Sequence, residues 1–137
     1  MEYMTFSGAT LEDAAALALH NRLYVAGWSL RKNLAAIPTL SRGRKNKTQI
    51  VLAFDGVTPV AVSVFTQGTR GRVFLMAFVR AAHRRKGVAT NMIELWRKNY
   101  TCKKFVAFLG SEGSEQFFKK IGNTTIYLFE ETFVKVK

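Results

Sequence analysis

The chain is short of several things, and each shortage narrows what it can be. Its 137 residues hold one cysteine, Cys102, which excludes a disulfide framework and a zinc site built on cysteines. No apolar run approaches the roughly eighteen residues needed to cross a bilayer, so no membrane partner is expected. The first residues, MEYMTF, carry an acid and no basic stretch ahead of an apolar one. They do not read as a secretory signal, and a cytoplasmic protein is the expectation. Repeats, linkers and low-complexity segments are missing, as are a cluster of metal-ligand residue types, a Ser-His-Asp pattern and a G-x-x-x-x-G-K-[ST] loop. No metal is expected. Acids are scarce too, with 9 Asp+Glu against 21 Lys+Arg and a net charge of +12. Residues 1–30 hold Glu2, Glu12 and Asp13 against Arg22, a net of −2, so the residues from 31 onward carry +14. Such a surface favours a polyanionic partner: nucleic acid, an acidic protein face, or a phosphate-rich cofactor.

What is present suffices for a core. Hydrophobic residues make up 48% of the chain, among them 11 Phe, 2 Trp and 4 Tyr, which excludes a disordered chain, and the length predicts one domain over 1–137. The stretch from Arg72 to Lys98 organises it. Seven unbroken apolar residues, Val73 to Val79, read as a strand buried on both faces. A basic loop follows, then Gly87 and Ala89, then helical periodicity from Thr90 to Lys98. Val88, Met92, Leu95 and Trp96 share one face, and Glu94 and Lys98 form an i,i+4 pair on another. Strand, glycine-bearing basic loop and helix aim free backbone N–H groups at one point. The helix dipole adds partial positive charge there, so the point suits phosphate.

Taken in order, the chain predicts a strand at Glu2 to Phe6 broken by Gly8, then a capping box, Thr10-Leu11-Glu12-Asp13, opening a helix AAALALHNRL. His20 lies in this helix as a core or rim residue. Gly27 interrupts the helical pattern, which resumes as WSLRKNLAAI and stops before Pro38, giving one bent helix or two consecutive ones. The loop SRGRKNK brings together Arg42, Arg44, Lys45 and Lys47, a candidate surface for nucleic acid or an acidic protein. Gln49 to Phe54 is a strand, Asp55-Gly56 a hairpin turn, and Pro59 starts the return strand VAVSVF. Phe105 to Leu109 is a further buried strand. Ser114 caps a helix EQFFKKI that ends at Gly122, and strands at Thr124 to Phe129 and Thr132 to Val136 follow. A meander of antiparallel strands feeding one strand–helix–strand unit predicts an α+β fold.

The loop Arg84-Arg85-Lys86-Gly87-Val88-Ala89 resembles the Q/R-x-x-G-x-G/A signature of the GCN5-related N-acetyltransferase (GNAT) family. The longer family pattern V-x-P-x-x-R-x-x-G-I-A lies over Val79, Arg84, Gly87, Val88 and Ala89, with Ala81 where proline is frequent. The resemblance covers nearly the whole chain. It implies a mixed, mostly antiparallel twisted sheet of six or seven strands flanked by about four helices. The strands 73–79 and 105–109 would be parallel neighbours that splay where the first ends. It also implies that acetyl-coenzyme A is the cofactor, bound by Phe78, Val79, Arg84, Arg85, Lys86, Gly87, Val88, Ala89, Thr90 and Ser111. Its pyrophosphate would lie on the loop amides, and the N–H of Val79 or a neighbour would polarise the thioester.

The resemblance has two departures. In GSEGSEQFFKKIGN, Phe118, Lys120 and Gly122 align with a family Tyr, Lys and Gly, and the tyrosine hydroxyl of that pattern commonly protonates the leaving thiolate. Phe118 cannot. Ser111 falls near the family's pantetheine-binding asparagine. A glutamate base is also missing, since neither 73–79 nor 105–109 contains an acid. Weak candidates for a catalytic group are Ser111 and Glu112. Glu115, His83, Ser114, Cys102 and Tyr127 stand behind them. The function implied is transfer of an acetyl group from acetyl-coenzyme A to a primary amine on an acidic or nucleic-acid-associated acceptor. The alternative is a catalytically silent protein of the same fold, phage-encoded chains included, that serves as a nucleic-acid-binding or structural assembly module.

Overall fold

The computed structural model describes residues 1–24, 26–28, 30–31, 48–68, 70–109, 114–121, 124–129 and 133–135. They form one sheet of seven strands in sequence order: β1 (Glu2–Ala9), β2 (Thr48–Asp55), β3 (Thr58–Gln67), β4 (Arg72–Val79), β5 (Lys104–Leu109), β6 (Thr124–Phe129) and β7 (Phe133–Lys135). β1 to β4 are an antiparallel meander, β5 runs parallel to both β4 and β6, and β7 returns antiparallel. This is the expected mixed sheet. Thr48-Gln49-Ile50-Val51-Leu52-Ala53 is buried throughout, because alternate residues point to opposite faces and both faces are covered.

One face carries the helix Val88–Arg97, hereafter the motif helix, through Val88, Met92, Ile93 and Trp96. They pack on Val51, Ala53, Ala61, Phe65, Val73, Leu75 and Phe105, and Phe117 and Ile121 of the helix Ser114–Ile121 join at the edge. Trp96 is stacked on Phe65, with ring centroids 4.7 Å apart at 7°, and also on Tyr100, with centroids 5.6 Å apart at 15°. Its indole N–H donates to Gln49 Oε1 at 3.1 Å, an oxygen that also accepts from Gln67 Nε2. The buried polar groups of this core are therefore paired.

The other face carries the first helix, Leu11–His20. Its alanines Ala14, Ala15 and Ala18 are buried against Ile50, Leu52, Val62 and Val64, together with Leu23, Ala26 and Leu30. The capping box is present, with Thr10 Oγ1 accepting from Asp13 N–H and Asp13 Oδ2 accepting from Thr10 N–H. Residues 24, 26–28 and 30–31 are helical as well, so the helical content approaches the four helices expected. No helix among the described residues is long and apolar enough to cross a membrane.

Several local expectations change. β1 runs through Gly8 to Ala9, because a register shift between Phe6 and Ala9 absorbs that glycine as a bulge. The first helix ends at His20 and the chain breaks at Asn21–Leu23, where Arg22 takes φ 61°. Gly27, expected to interrupt, sits among helical residues. The motif helix starts two residues early, at Val88. Glu94 pairs with Arg97 at 3.3 Å rather than with Lys98. β4 buries Val73 and Leu75 but leaves Phe74, Met76 and Phe78 half-buried against the first-helix side. The continuation of the second helical stretch to Pro38, the helix end at Gly122 and the strand start at Thr132 lie outside the described residues.

Candidate functional site

The site begins with a mismatch of lengths. β4 stays paired with β3 up to Val79, opposite Ala61, whereas its pairing with β5 ends at Leu75, opposite Ala107. β4 and β5 thus part company over Met76 to Val79, as expected of this strand pair. Arg80 N–H donates to Val60 O at 2.8 Å. In an antiparallel ladder, alternate residues direct their main-chain groups to opposite sides. Residues 76 and 78 therefore face β3 like Arg80, and Ala77 and Val79 direct N–H and C=O groups into the gap beside β5. The Val79 carbonyl is engaged there by Arg84 Nε at 2.8 Å.

Past the strand end, Ala81–His83 make one 3-10 turn, and Arg84, Arg85, Lys86 and Gly87 are exposed. Arg85 has φ 61° and Gly87 φ 78°, so two of these residues are left-handed. A side chain at such φ costs ~1–2 kcal/mol, and strain of this kind gathers at binding sites. Gly87 is the N-cap of the motif helix, and no side chain caps that end. The first helical bond runs from Asn91 N–H to Gly87 O at 2.9 Å. The amides of Val88, Ala89 and Thr90 precede it and have no acceptor within the helix. A Cβ built on Gly87 meets nothing within 4 Å, so an anion can approach these amides unhindered. Donors, dipole and three neighbouring cations form an anion cradle.

Two anchors hold the cradle that the sequence did not single out in this role. Arg80 donates through Nε to Pro59 O and through Nη2 to Arg22 O, both at 2.9 Å. It ties the end of β4 to the start of β3 and to the break after the first helix. His83 Nε2 lies 3.0 Å from Asp55 Oδ2 in the β2–β3 turn. This bond holds the Asp55 carboxyl below its ordinary range, with the His83 hydrogen bond the largest cause. His83 is half-buried rather than on the surface, and its Nδ1 is buried without a partner among the described residues. A basic residue just past a strand and an Asp-Gly turn were the only signals in sequence, and neither carries a spacing rule.

Phe78, Val79 and Arg84 to Thr90 thus come together around the end of β4. Phe118 lies in the helix Ser114–Ile121 and Tyr127 in β6. Ser111, Glu112, Arg42, Arg44, Lys45 and Lys47 lie outside the described residues. His20, exposed at the end of the first helix, is not part of this gathering. Among the described residues no three His, Cys, Asp or Glu side chains cluster as metal ligands.

No protein-family model and no curated protein matches the chain. Solved structures do. An aminoglycoside 6'-N-acetyltransferase from Acinetobacter haemolyticus superposes at a TM-score of 0.55 with 22% identity, over 100% of this chain and 96% of that one. A GNAT-family acetyltransferase from Streptococcus pneumoniae TIGR4 gives 0.54 with 17% identity, over 88% of this chain and 85% of that one. A second aminoglycoside 6'-N-acetyltransferase, solved with a bisubstrate analogue containing coenzyme A, gives 0.52 with 17% identity, over 98% and 95%. The fold is that of the GNAT acetyltransferases.

Proposed function

We propose that this GNAT-fold chain is an N-acetyltransferase that uses acetyl-coenzyme A. The observation that carries the reading is the parting of β4 from β5 with an uncapped, glycine-led helix N-terminus at its mouth. The donor set fits the cofactor. The amides of Val88, Ala89 and Thr90, with Arg84, Arg85 and Lys86 around them, suit a pyrophosphate. The main-chain groups of Ala77 suit an amide of a pantetheine arm, which extends along a strand edge as an added strand would. A structural neighbour binds a coenzyme A analogue, and acetyl-coenzyme A is the cosubstrate proposed for this chain.

In the reaction, the lone pair of a neutral primary amine attacks the thioester carbonyl carbon. The C–S bond then breaks, the thiolate leaves, and the amine nitrogen gives up a proton. The N–H of Val79 or a neighbour is the donor we assign to the carbonyl oxygen as it gains charge. Positioning supplies most of the acceleration, and acid–base help adds ~10²–10⁴-fold. Phe118 has no hydroxyl to protonate the thiolate, so that proton comes from solvent or from Ser111, with Glu112 the candidate for taking the amine proton. The net charge of +12 favours an acidic or nucleic-acid-associated acceptor, with Arg42, Arg44, Lys45 and Lys47 as docking residues.

The test is thiol release from acetyl-coenzyme A, measured with amines, basic and acidic peptides and aminoacyl-tRNA as acceptors. Release above the rate without protein supports the enzyme. Cofactor binding without turnover on any acceptor would favour the silent module, which the lack of an acid on 73–79 and 105–109 already speaks for.

A further inference from the structure

A second feature is built from none of the cradle's residues. From Ala14 to Phe54 the chain contains no Asp or Glu at all, against seven bases: Arg22, Arg31, Lys32, Arg42, Arg44, Lys45 and Lys47. Within this acid-free run, two large aromatic side chains face solvent. Tyr24 is 57% exposed and Trp28 56%, four residues apart on a helical segment and hence on one face. Arg31, one turn on, holds its guanidinium carbon 5.4 Å from the centroid of the Trp28 ring. The opposite face, Leu23, Ala26 and Leu30, is buried in the core, so this segment is fixed and its aromatic face is turned outward. Arg22, exposed at the start of the segment, has its carbonyl held by Arg80 Nη2 at 2.9 Å.

We infer that Tyr24, Trp28 and Arg31 form a stacking platform for unpaired nucleotides of a single-stranded nucleic acid. Two observations meet in it. Exposed rings offer flat apolar faces on which bases stack irrespective of sequence, and guanidinium groups add cation–π and phosphate contacts. The run of sequence that carries them has seven bases and no acid, a balance that attracts a polyanion and repels polycations. A duplex fits less well, because its bases already stack on one another and leave the rings nothing to cover. The inference does not depend on acetyl transfer, since no residue of the cradle takes part.

Trp28 makes the test direct. The chain has 2 tryptophans, and the other, Trp96, is 2% exposed, so quenching of indole emission by a ligand reports on Trp28. Oligo(U) and oligo(dT) of about twelve nucleotides, inside the usual ~4–16-nucleotide site, are titrated against the full chain beside a duplex of equal length and polyglutamate. Strand binding should quench the emission and weaken with salt. Trp28→Ala should weaken it about 5- to 150-fold, the range expected for loss of one stacked base. Trp28→Phe should retain most of the affinity, and Arg31→Gln should reduce the salt slope by about 0.7. Preference for RNA or DNA shows which strand is the partner. Equal binding of duplex or polyglutamate, or Trp28→Ala binding like wild type, would overturn the inference, as would self-association that buries Trp28. Gly87→Glu should bind the strand normally, so loss of cofactor binding and loss of strand binding are read separately.

Discussion

At Gly87 the backbone sits at φ 78° in open space, so a side chain there is opposed by the backbone and not by crowding. Gly87→Ala should therefore cost about 1–2 kcal/mol of stability without unfolding the chain, which thermal melting measures; an unchanged melting point would show that the loop relaxes freely. The Asp55–His83 pair makes stability depend on acid. The Asp55 carboxyl lies below its ordinary 3.8, chiefly because it accepts a hydrogen bond from His83. A depressed carboxyl contributes stability that is present above the ordinary value and lost as pH falls through the folded one. Acidification from 3.8 downward should thus erode wild-type stability more steeply than that of Asp55→Asn. Melting temperatures across that window check it, and parallel acid limbs for the two proteins would contradict it.

At the scale of elements, what could be read in the sequence was what is local. The Thr10–Asp13 capping box and the Val73–Val79 strand followed from residues within a few positions of each other, and both formed. The break after the first helix is not announced locally, and one of its contacts is remote: Arg80, 58 residues away, binds the carbonyl of Arg22. Gly27 reads as a breaker in sequence, but its role is set by a neighbour in space. A Cβ on it would come within 2.5 Å of Leu19 Cγ, so it is the small residue that lets the next helical stretch pack against the first helix. Helix propensity alone would have Gly27→Ala stabilise by ~1 kcal/mol. Overpacking reverses the sign, and we expect a net destabilisation of about 1–3 kcal/mol. Urea denaturation measures this, and a stabilised variant would refute the close approach. The Glu94 partner was missed by one residue, since Arg97 and Lys98 are equally good candidates on spacing alone.

At the scale of the whole molecule, the mixed sheet and the parallel, splaying pair of β4 and β5 were legible through the family resemblance, and the fold bears them out. The acid–base residues were not, because neither strand 73–79 nor strand 105–109 offers an acid and Phe118 replaces the expected hydroxyl. The proposed function requires that the gap beside Ala77 and Val79, with the helix N-terminus behind Gly87, hold acetyl-coenzyme A. Calorimetric titration of acetyl-coenzyme A into wild type and Gly87→Glu tests it most directly. Wild type should bind one cofactor per chain, and Gly87→Glu, which places a carboxylate where the pyrophosphate would lie, should melt cooperatively yet bind none. No heat from wild type at millimolar cofactor, or equal binding by the two proteins, would contradict the claim.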